Sequence, residues 1–253
     1  VGAGGGQRTF MDFGSVFVEN KDKSIWEGVT DYVRYLDIEE GIAGVQFKNG
    51  NGSLFTRKYF SSAPDQVIAA QYKAEGEDKM NLNFTIEPGS DISAGGVTYE
   101  NGMAYFTGKM TVKYAARLHV VADEGAIVES SSKGISVQNA TEVTFYLKGA
   151  TNFIGDVDSK SYFRAVTPET VNEEVKTAIE AAVAKGYGAV EKAHVEDFAA
   201  IAKRRTFDLG LQAPSVDTKT LVDKYYPNNT NATSTANDHL FLEQLYFHFG
   251  RYL

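Results

Sequence analysis

A mainly β fold, built as an antiparallel sandwich and followed by a small helical region, is what this sequence predicts. Three observations carry it. Between residues 10 and 149, short runs rich in Val, Ile, Thr, Tyr and Phe are separated by turn clusters. Those runs alternate apolar with polar, the period of a strand with one face in a core. Near Thr167 the composition changes, and apolar residues recur instead at helical spacing.

Turn clusters punctuate the chain. Lys48-Asn-Gly-Asn-Gly52, Pro88-Gly-Ser, Ser93-Ala-Gly-Gly96, Glu100-Asn-Gly102, Asp123-Glu-Gly125 and Ser132-Lys-Gly134 supply the positive φ angles of tight turns. Hairpins are therefore expected over 42–59 and 98–107. Alternation is clear in Leu118-His-Val-Val-Ala and Val143-Thr-Phe-Tyr-Leu. About ten strands at this spacing predict sheets packed face to face.

Thr167-Pro168-Glu169 opens a helix, with a capping hydroxyl and a proline at the first helical position. Val171, Val175, Ala178, Ile179 and Ala182 continue it to Lys185, where Gly186-Tyr187-Gly188 breaks it. A second helix is expected over 189–204 and a short strand-like piece over 206–211. A small helix over 218–225 ends at Pro227, and the polar stretch 228–237 reads as a loop or linker. The last segment, 237–253, reads as a helix capped by Asn237 or Asp238, with Gly250 in its final turn. Leu240, Phe241, Leu245, Phe247, Phe249 and Tyr252 leave little of its surface polar. Such a helix needs a partner to bury it, and the chain is accordingly expected to be a piece of a larger enzyme.

The totals bound the function classes. With 253 residues, 43% hydrophobic and 23% charged, the chain can bury a substantial core. No run approaches the ~18 apolar residues of a membrane helix, so no membrane partner is expected. The net charge of −8 argues against nucleic acid, since phosphate binding needs clustered Lys and Arg. The tight basic run Lys203-Arg204-Arg205 reads as a helix C-terminus. Cysteine is absent, which excludes disulfides and Cys-based zinc. The start Val-Gly-Ala-Gly-Gly-Gly lacks the basic and apolar regions of a signal peptide, and also the Lys-Ser/Thr of a phosphate loop. Sequons occur at Asn83, Asn139, Asn228 and Asn231.

Candidate chemistry is sparse. His119, His194, His239 and His248 include no pair at i, i+4 and no HExxH, so no metal ligand set is assigned. No GxSxG elbow marks a serine nucleophile; Ser61-Ser62 and the serines at 130–132 read as strand-end or turn residues. Asp37-Ile-Glu39-Glu40 reads as a solvated turn rather than a catalytic pair. His194 and Asp197 share a helix face and are expected to make a packing contact that locks helix to sandwich. Trp26 is the chain's single tryptophan, against 14 Tyr and 16 Phe, and lies in a segment that looks like a loop or strand start. Most Tyr and Phe occupy alternating strand positions, where core packing is the default.

Four blocks resemble one family. Tyr32-Val-Arg34-Tyr-Leu-Asp37-Ile-Glu39 is similar to the Y-x-R-x-L-D-L stretch of the N-terminal β domain in glycoside hydrolase family 95, of α-L-fucosidases and some α-L-galactosidases. Phe55-Thr-Arg57-Lys-Tyr-Phe-Ser-Ser-Ala-Pro64-Asp65-Gln-Val-Ile resembles its R-x-x-F-x-S-x-P-D-x-V-I run. His194-Val-Glu-Asp197-Phe, then Arg205 and Leu209-Gly210, resembles its linker motif. Asp238 through Gly250-Arg251-Tyr-Leu resembles the G-R-Y-L helix that opens its catalytic barrel.

The resemblance implies a galactose-mutarotase-like β-supersandwich over 1–160, truncated at its N-terminal side. A helical linker over 161–236 and the first helix of an (α/α)6 barrel over 237–253 would follow. The family's P-x-G-N-G-x-x-G-like motif is absent. Its inverting machinery, a Glu acid and an Asn-activated water polarised by an Asp, has no counterpart here. No catalytic or substrate-binding residue is therefore carried over, and no cofactor is expected. The implied partners are a catalytic barrel in the same polypeptide and, for the parent enzyme, a fucosylated glycan. The implied location is extracellular or periplasmic, and self-association through the last helix is a further expectation. Two other readings stay open: a free-standing carbohydrate-binding or structural β module, and part of a related barrel hydrolase or phosphorylase of other specificity.

Overall fold

The computed structural model describes residues 12–89, 95–109, 112–154, 162–225 and 235–253. The glycine-rich start, the turn residues at 90–94, the sequons at Asn228 and Asn231 and most of the polar stretch before the last helix lie outside them. The described residues form two compact units. One runs to Tyr35 and from Ala43 to His194; the other comprises Leu36–Ile42 and Val195–Leu253.

The first unit is the predicted sandwich, with twelve strands where about ten were expected. β1 (Gly14–Asn20), β6 (Met80–Pro88), β11 (Gly134–Ala140) and β10 (Ile127–Ser131) form a four-stranded sheet in that order. The larger sheet has eight strands. One half runs β2 (Thr30–Asp37), β3 (Ile42–Lys48), β4 (Leu54–Ser62), β5 (Val67–Glu75). The order then continues through β12 (Glu142–Thr151), β9 (Lys113–Ala122), β8 (Met103–Lys109) and β7 (Thr98–Glu100). Both expected hairpins form: β3 pairs antiparallel with β4, and β7 with β8. Asn49 shapes the first turn, accepting from the amides of Asn51 and Ser53. Asp78 is hydrogen-bonded by Asn49 and Asn51, and bonding from Asn49, Ser53 and Asn51 holds its carboxyl below the usual range.

Between the sheets lies the core. β6 turns Met80, Leu82, Phe84 and Ile86 inward, and β9 and β12 answer with Leu118, Val120, Val143 and Phe145. On β5 and β9 the alternation gives way to nearly continuous burial. The reason is a second layer on the outer face, where α1 (Pro168–Lys185) packs on β9 and β12. Thr167 caps this helix by accepting from the Thr170 amide, and Gly186 ends it at φ +81°. Val171, Val175, Ile179 and Ala182 make its buried stripe, the i, i+4, i+8 spacing that the sequence predicted. Asn152, almost fully buried, fastens the approach: it accepts from the Lys113 amide and donates to the Arg164 carbonyl. Arg164 then grips Glu174 of α1 through both terminal guanidinium nitrogens, at 2.6 and 2.8 Å.

Local details depart from the sequence reading. Trp26, in a segment read as a loop or strand start, closes a short 3-10 helix, Lys23–Trp26. The second helix, α2 (Tyr187–Ala202), begins directly after Gly186, so a single glycine is the break and Gly188 is helical.

In the second unit, the stretch at 206–211 is not a strand. It has no neighbour to ladder with; its Leu209 amide donates to the Gln244 side chain, and Gly210 sits at φ +66°. α3 (Thr218–Tyr225) and α4 (Ala236–Tyr252) follow. Thr235, not Asn237 or Asp238, is the α4 cap: its hydroxyl accepts from the Asp238 amide while the Asp238 carboxylate accepts from the Thr235 amide. Side chains tie α4 within the unit. Tyr252 meets Phe198, Phe247 meets Phe207, and Arg251 donates to the carbonyls of Ala202 and Arg205.

Candidate functional site

A cleft of about 480 Å³ opens in the first unit, between the smaller sheet and the inner face of the larger one. Strand alternation positions its residues. On β4 the core-facing register is Phe55, Arg57, Tyr59, so a guanidinium stands where an apolar side chain would be the rule. On β5 the same face brings Tyr72, and Val18 of β1 and Leu82 of β6 line the opposite wall. The 3-10 helix adds Lys23 and Trp26, and β1 adds Glu19 and Asn20.

Arg57 lies between two rings. Its guanidinium carbon is 5.0 Å from the Trp26 ring centre and 4.9 Å from that of Tyr72. Such stacking lets a guanidinium sit partly desolvated while its in-plane N–H groups stay available. The rings are themselves braced. Trp26 stacks on Phe47 at 4.9 Å and Phe47 on Phe55 at 5.3 Å, while the Tyr59 and Tyr72 hydroxyls are hydrogen-bonded at 2.8 Å. Burial, with Tyr59 adding to it, pushes the Tyr72 phenol far above its ordinary range against the opposing pull of Arg57. Tyr72 is therefore neutral at any physiological pH. Among the lining residues Glu19 is the one carboxylate, and it is paired with Lys21 at 2.9 Å. Cleavage of a glycosidic bond by two carboxyl groups needs a second one across the cleft. The arrangement suits binding.

A second polar cluster is buried on the outer face of the large sheet. Arg117 of β9 lies 4.3 Å from the Tyr105 ring, donates to Asn172 of α1 and rests against the Met103 sulfur. Next to it, burial and then Arg117 hold His119 below its ordinary range, so its imidazole is neutral at pH 7.

The residues singled out from sequence motifs are spread over the molecule, and Arg57 alone among them lines the cleft. Tyr32 and Arg34 are exposed on β2, and Asp37 accepts from the amides of Glu39 and Glu40 to shape the next turn. Asp65, in the turn after β4 with exposed Pro64, accepts from the Ser62 hydroxyl and pairs with Lys185 at the end of α1. His194 is buried and stacks on Phe60 at 4.7 Å, whereas Asp197 is exposed. Arg205 offers its carbonyl to Arg251, and Gly250 is exposed on α4. Sequence reasoning missed Trp26, Tyr72 and Lys23 as a group. The available signal was a charge at a core-facing strand position, in Phe55-x-Arg57-x-Tyr59.

Fold and cleft define a two-sheet β domain suited to binding and packing. Residues 2–156 match the glycosyl hydrolase family 65, N-terminal domain, and the chain belongs to that family. The match shows a glycosyl hydrolase N-terminal domain, and not the family 95 that the motifs resemble. Over 243 residues the chain is 26% identical to "Probable alpha-fucosidase A" of Aspergillus oryzae (strain ATCC 42149 / RIB 40). That alignment covers 89% of this chain and 31% of the relative, so the chain spans about a third of its length. Among solved structures, "Putative kojibiose phosphorylase from human microbiome" aligns with a TM-score of 0.42 at 10% identity, covering 74% of this chain and 24% of that one.

Proposed function

We propose that this chain is the non-catalytic N-terminal β domain and connecting region of an α-L-fucosidase-like glycoside hydrolase of the family 95 type. In that reading it packs on a catalytic helical barrel of the same polypeptide and shapes one side of the active site. The parent enzyme would be extracellular or periplasmic and act on fucosylated glycans by inversion. The observation that carries the reading is the alignment to a fucosidase along 89% of this chain, from the sandwich into the helical region. The four motif blocks agree with it in order. The Arg57 cleft, whose lining carboxylate Glu19 is paired with Lys21, supports a role other than cleavage.

The family match favours a second reading, a related hydrolase or phosphorylase of another sugar specificity. The experiment is to express the whole reading frame that encodes this chain, and the 253 residues alone. Each is assayed for fucose release from aryl α-L-fucosides and 2′-fucosylated glycans, and for sugar phosphate from glucosyl disaccharides with inorganic phosphate. Fucose release by the whole protein and none by the 253 residues is the expected result. Sugar phosphate formation would assign the second reading. Turnover by the 253 residues alone, abolished by a point substitution within them, would refute the non-catalytic role.

A further inference from the structure

The geometry points to the Arg57 cleft as a binding site for an anionic saccharide, a sugar bearing a carboxylate or a sulfate. Three observations converge. Arg57 is held between the Trp26 and Tyr72 rings and, among the described residues, has neither an anionic partner nor a hydrogen-bonded acceptor. A guanidinium fixed in this way presents a planar fork of N–H donors, which matches two oxygens of a carboxylate or sulfate. Lys23, on the neighbouring 3-10 helix, is a second cation at the cleft without a partner among the described residues. Glu19, the acidic group that could neutralise the pair, is taken by Lys21.

The saccharide part of the assignment comes from shape and surface. About 480 Å³ is the size of a small-ligand site rather than of a bare ion. Trp26 is 45% exposed at its mouth, a large ring whose other surroundings are the Phe47 and Arg57 stacks. Rings of this kind pack on the C–H surfaces of sugars, and the domain belongs to a family of sugar-processing enzymes. The cleft's own chemistry, and not which bond the parent enzyme cleaves, carries the inference. That chemistry also sets the cleft apart from a neutral-sugar site. Fucose carries no charge, so a fucoside assay and this binding test can fail separately.

The single tryptophan makes the test direct, because all tryptophan emission comes from Trp26. The 253-residue chain is titrated with galacturonate, galactose 6-sulfate, galactose and sodium sulfate, and Trp26 fluorescence is followed. A saturable change with galacturonate or galactose 6-sulfate, at least tenfold stronger than with galactose, is expected, and whichever of the two binds names the source of the anion. Arg57→Lys, which keeps the charge but loses the fork, should weaken binding at least tenfold. Lys23→Ala, on an exposed turn where folding is not at stake, should weaken it about threefold. No saturable response to either acidic sugar would overturn the proposal. So would sulfate binding as tightly as the acidic sugars, or binding unaffected by Lys23→Ala in a folded protein.

Discussion

The sandwich and the helical unit use apolar residues in opposite ways. In the sandwich, Phe47, Phe84, Leu82, Leu118 and Val143 are almost completely buried, and Phe84 meets Phe145 edge to face at 5.5 Å. In α3 and α4 the one buried side chain is Leu221. Leu240 is 43% exposed, Phe247 45% and Tyr246 77%, although α4 is as rich in large apolar residues as any strand. Two sheets with a helix over the outer face enclose a volume, whereas a few short helices enclose little. The first unit therefore holds its own stability in packing, and the second holds its shape in caps and hydrogen bonds to carbonyls.

This contrast can be broken by substitution. Phe84→Ala should cost about 3–5 kcal/mol in denaturant unfolding, since it removes a fully buried ring and leaves a cavity. Leu240→Ala on α4 should cost less than about 1 kcal/mol, because little area is removed from a side chain already near water. Equal costs at the two sites would mean that the units are not packed differently.

A smaller effect is expected where α2 meets the sandwich. His194→Ala removes a buried imidazole stacked on Phe60 and should cost about 1–3 kcal/mol. Asp197→Ala, at an exposed position, should change unfolding by less than about 0.5 kcal/mol. The reverse order would show that the carboxylate, not the ring, does the seating.

Acid should act on the sandwich through Asp123. Burial alone would raise its carboxyl pKa, but hydrogen bonds from the Thr141 hydroxyl and the amides of Glu142 and Thr141 outweigh it and hold the carboxyl below the usual carboxylate range. A depressed folded-state value means that the carboxylate stabilises the fold above the unfolded pKa. That contribution is lost as pH falls through the folded one. Stability measured from about pH 5 down to about pH 2 should therefore drop less steeply in Asp123→Asn than in the parent chain. Parallel curves would remove Asp123 from the account. The smallest effect belongs to α3: Lys219→Ala breaks an exposed pair with Asp223 and should shift unfolding by less than about 0.5 kcal/mol.

How much was legible follows from how local each feature is. The hairpin at Asn49–Gly52 and the start of α1 at Thr167-Pro168 are set by a few adjacent residues, through φ preference and capping, and both form as read. Alternation in Leu118-His-Val-Val-Ala told which of these residues face the core, because a strand's period puts every second residue on one face. The stretch at 206–211 has the same local character, yet it is no strand, since a strand exists only if another offers it a ladder. The same limit blurred the first half of β9. Its run Lys113-Tyr-Ala-Ala-Arg-Leu-His carries little alternation, because α1 buries the face that would otherwise be polar.

By itself, then, the sequence determined a β-rich chain with tight turns, a helical region after Thr167 and a motif order that resembles a glycoside hydrolase. Tertiary structure decided that β12 lies between β5 and β9, pairing antiparallel with both through backbone ladders although β5 lies far from it along the chain. It also decided that Arg57, Tyr72 and Trp26, from three separate elements, close on one another around a cleft. Turn and capping preferences act over a few bonds and can be read along the chain. Sheet order and the partner of a buried charge depend on contacts between distant segments, which exist only once the sheets have packed.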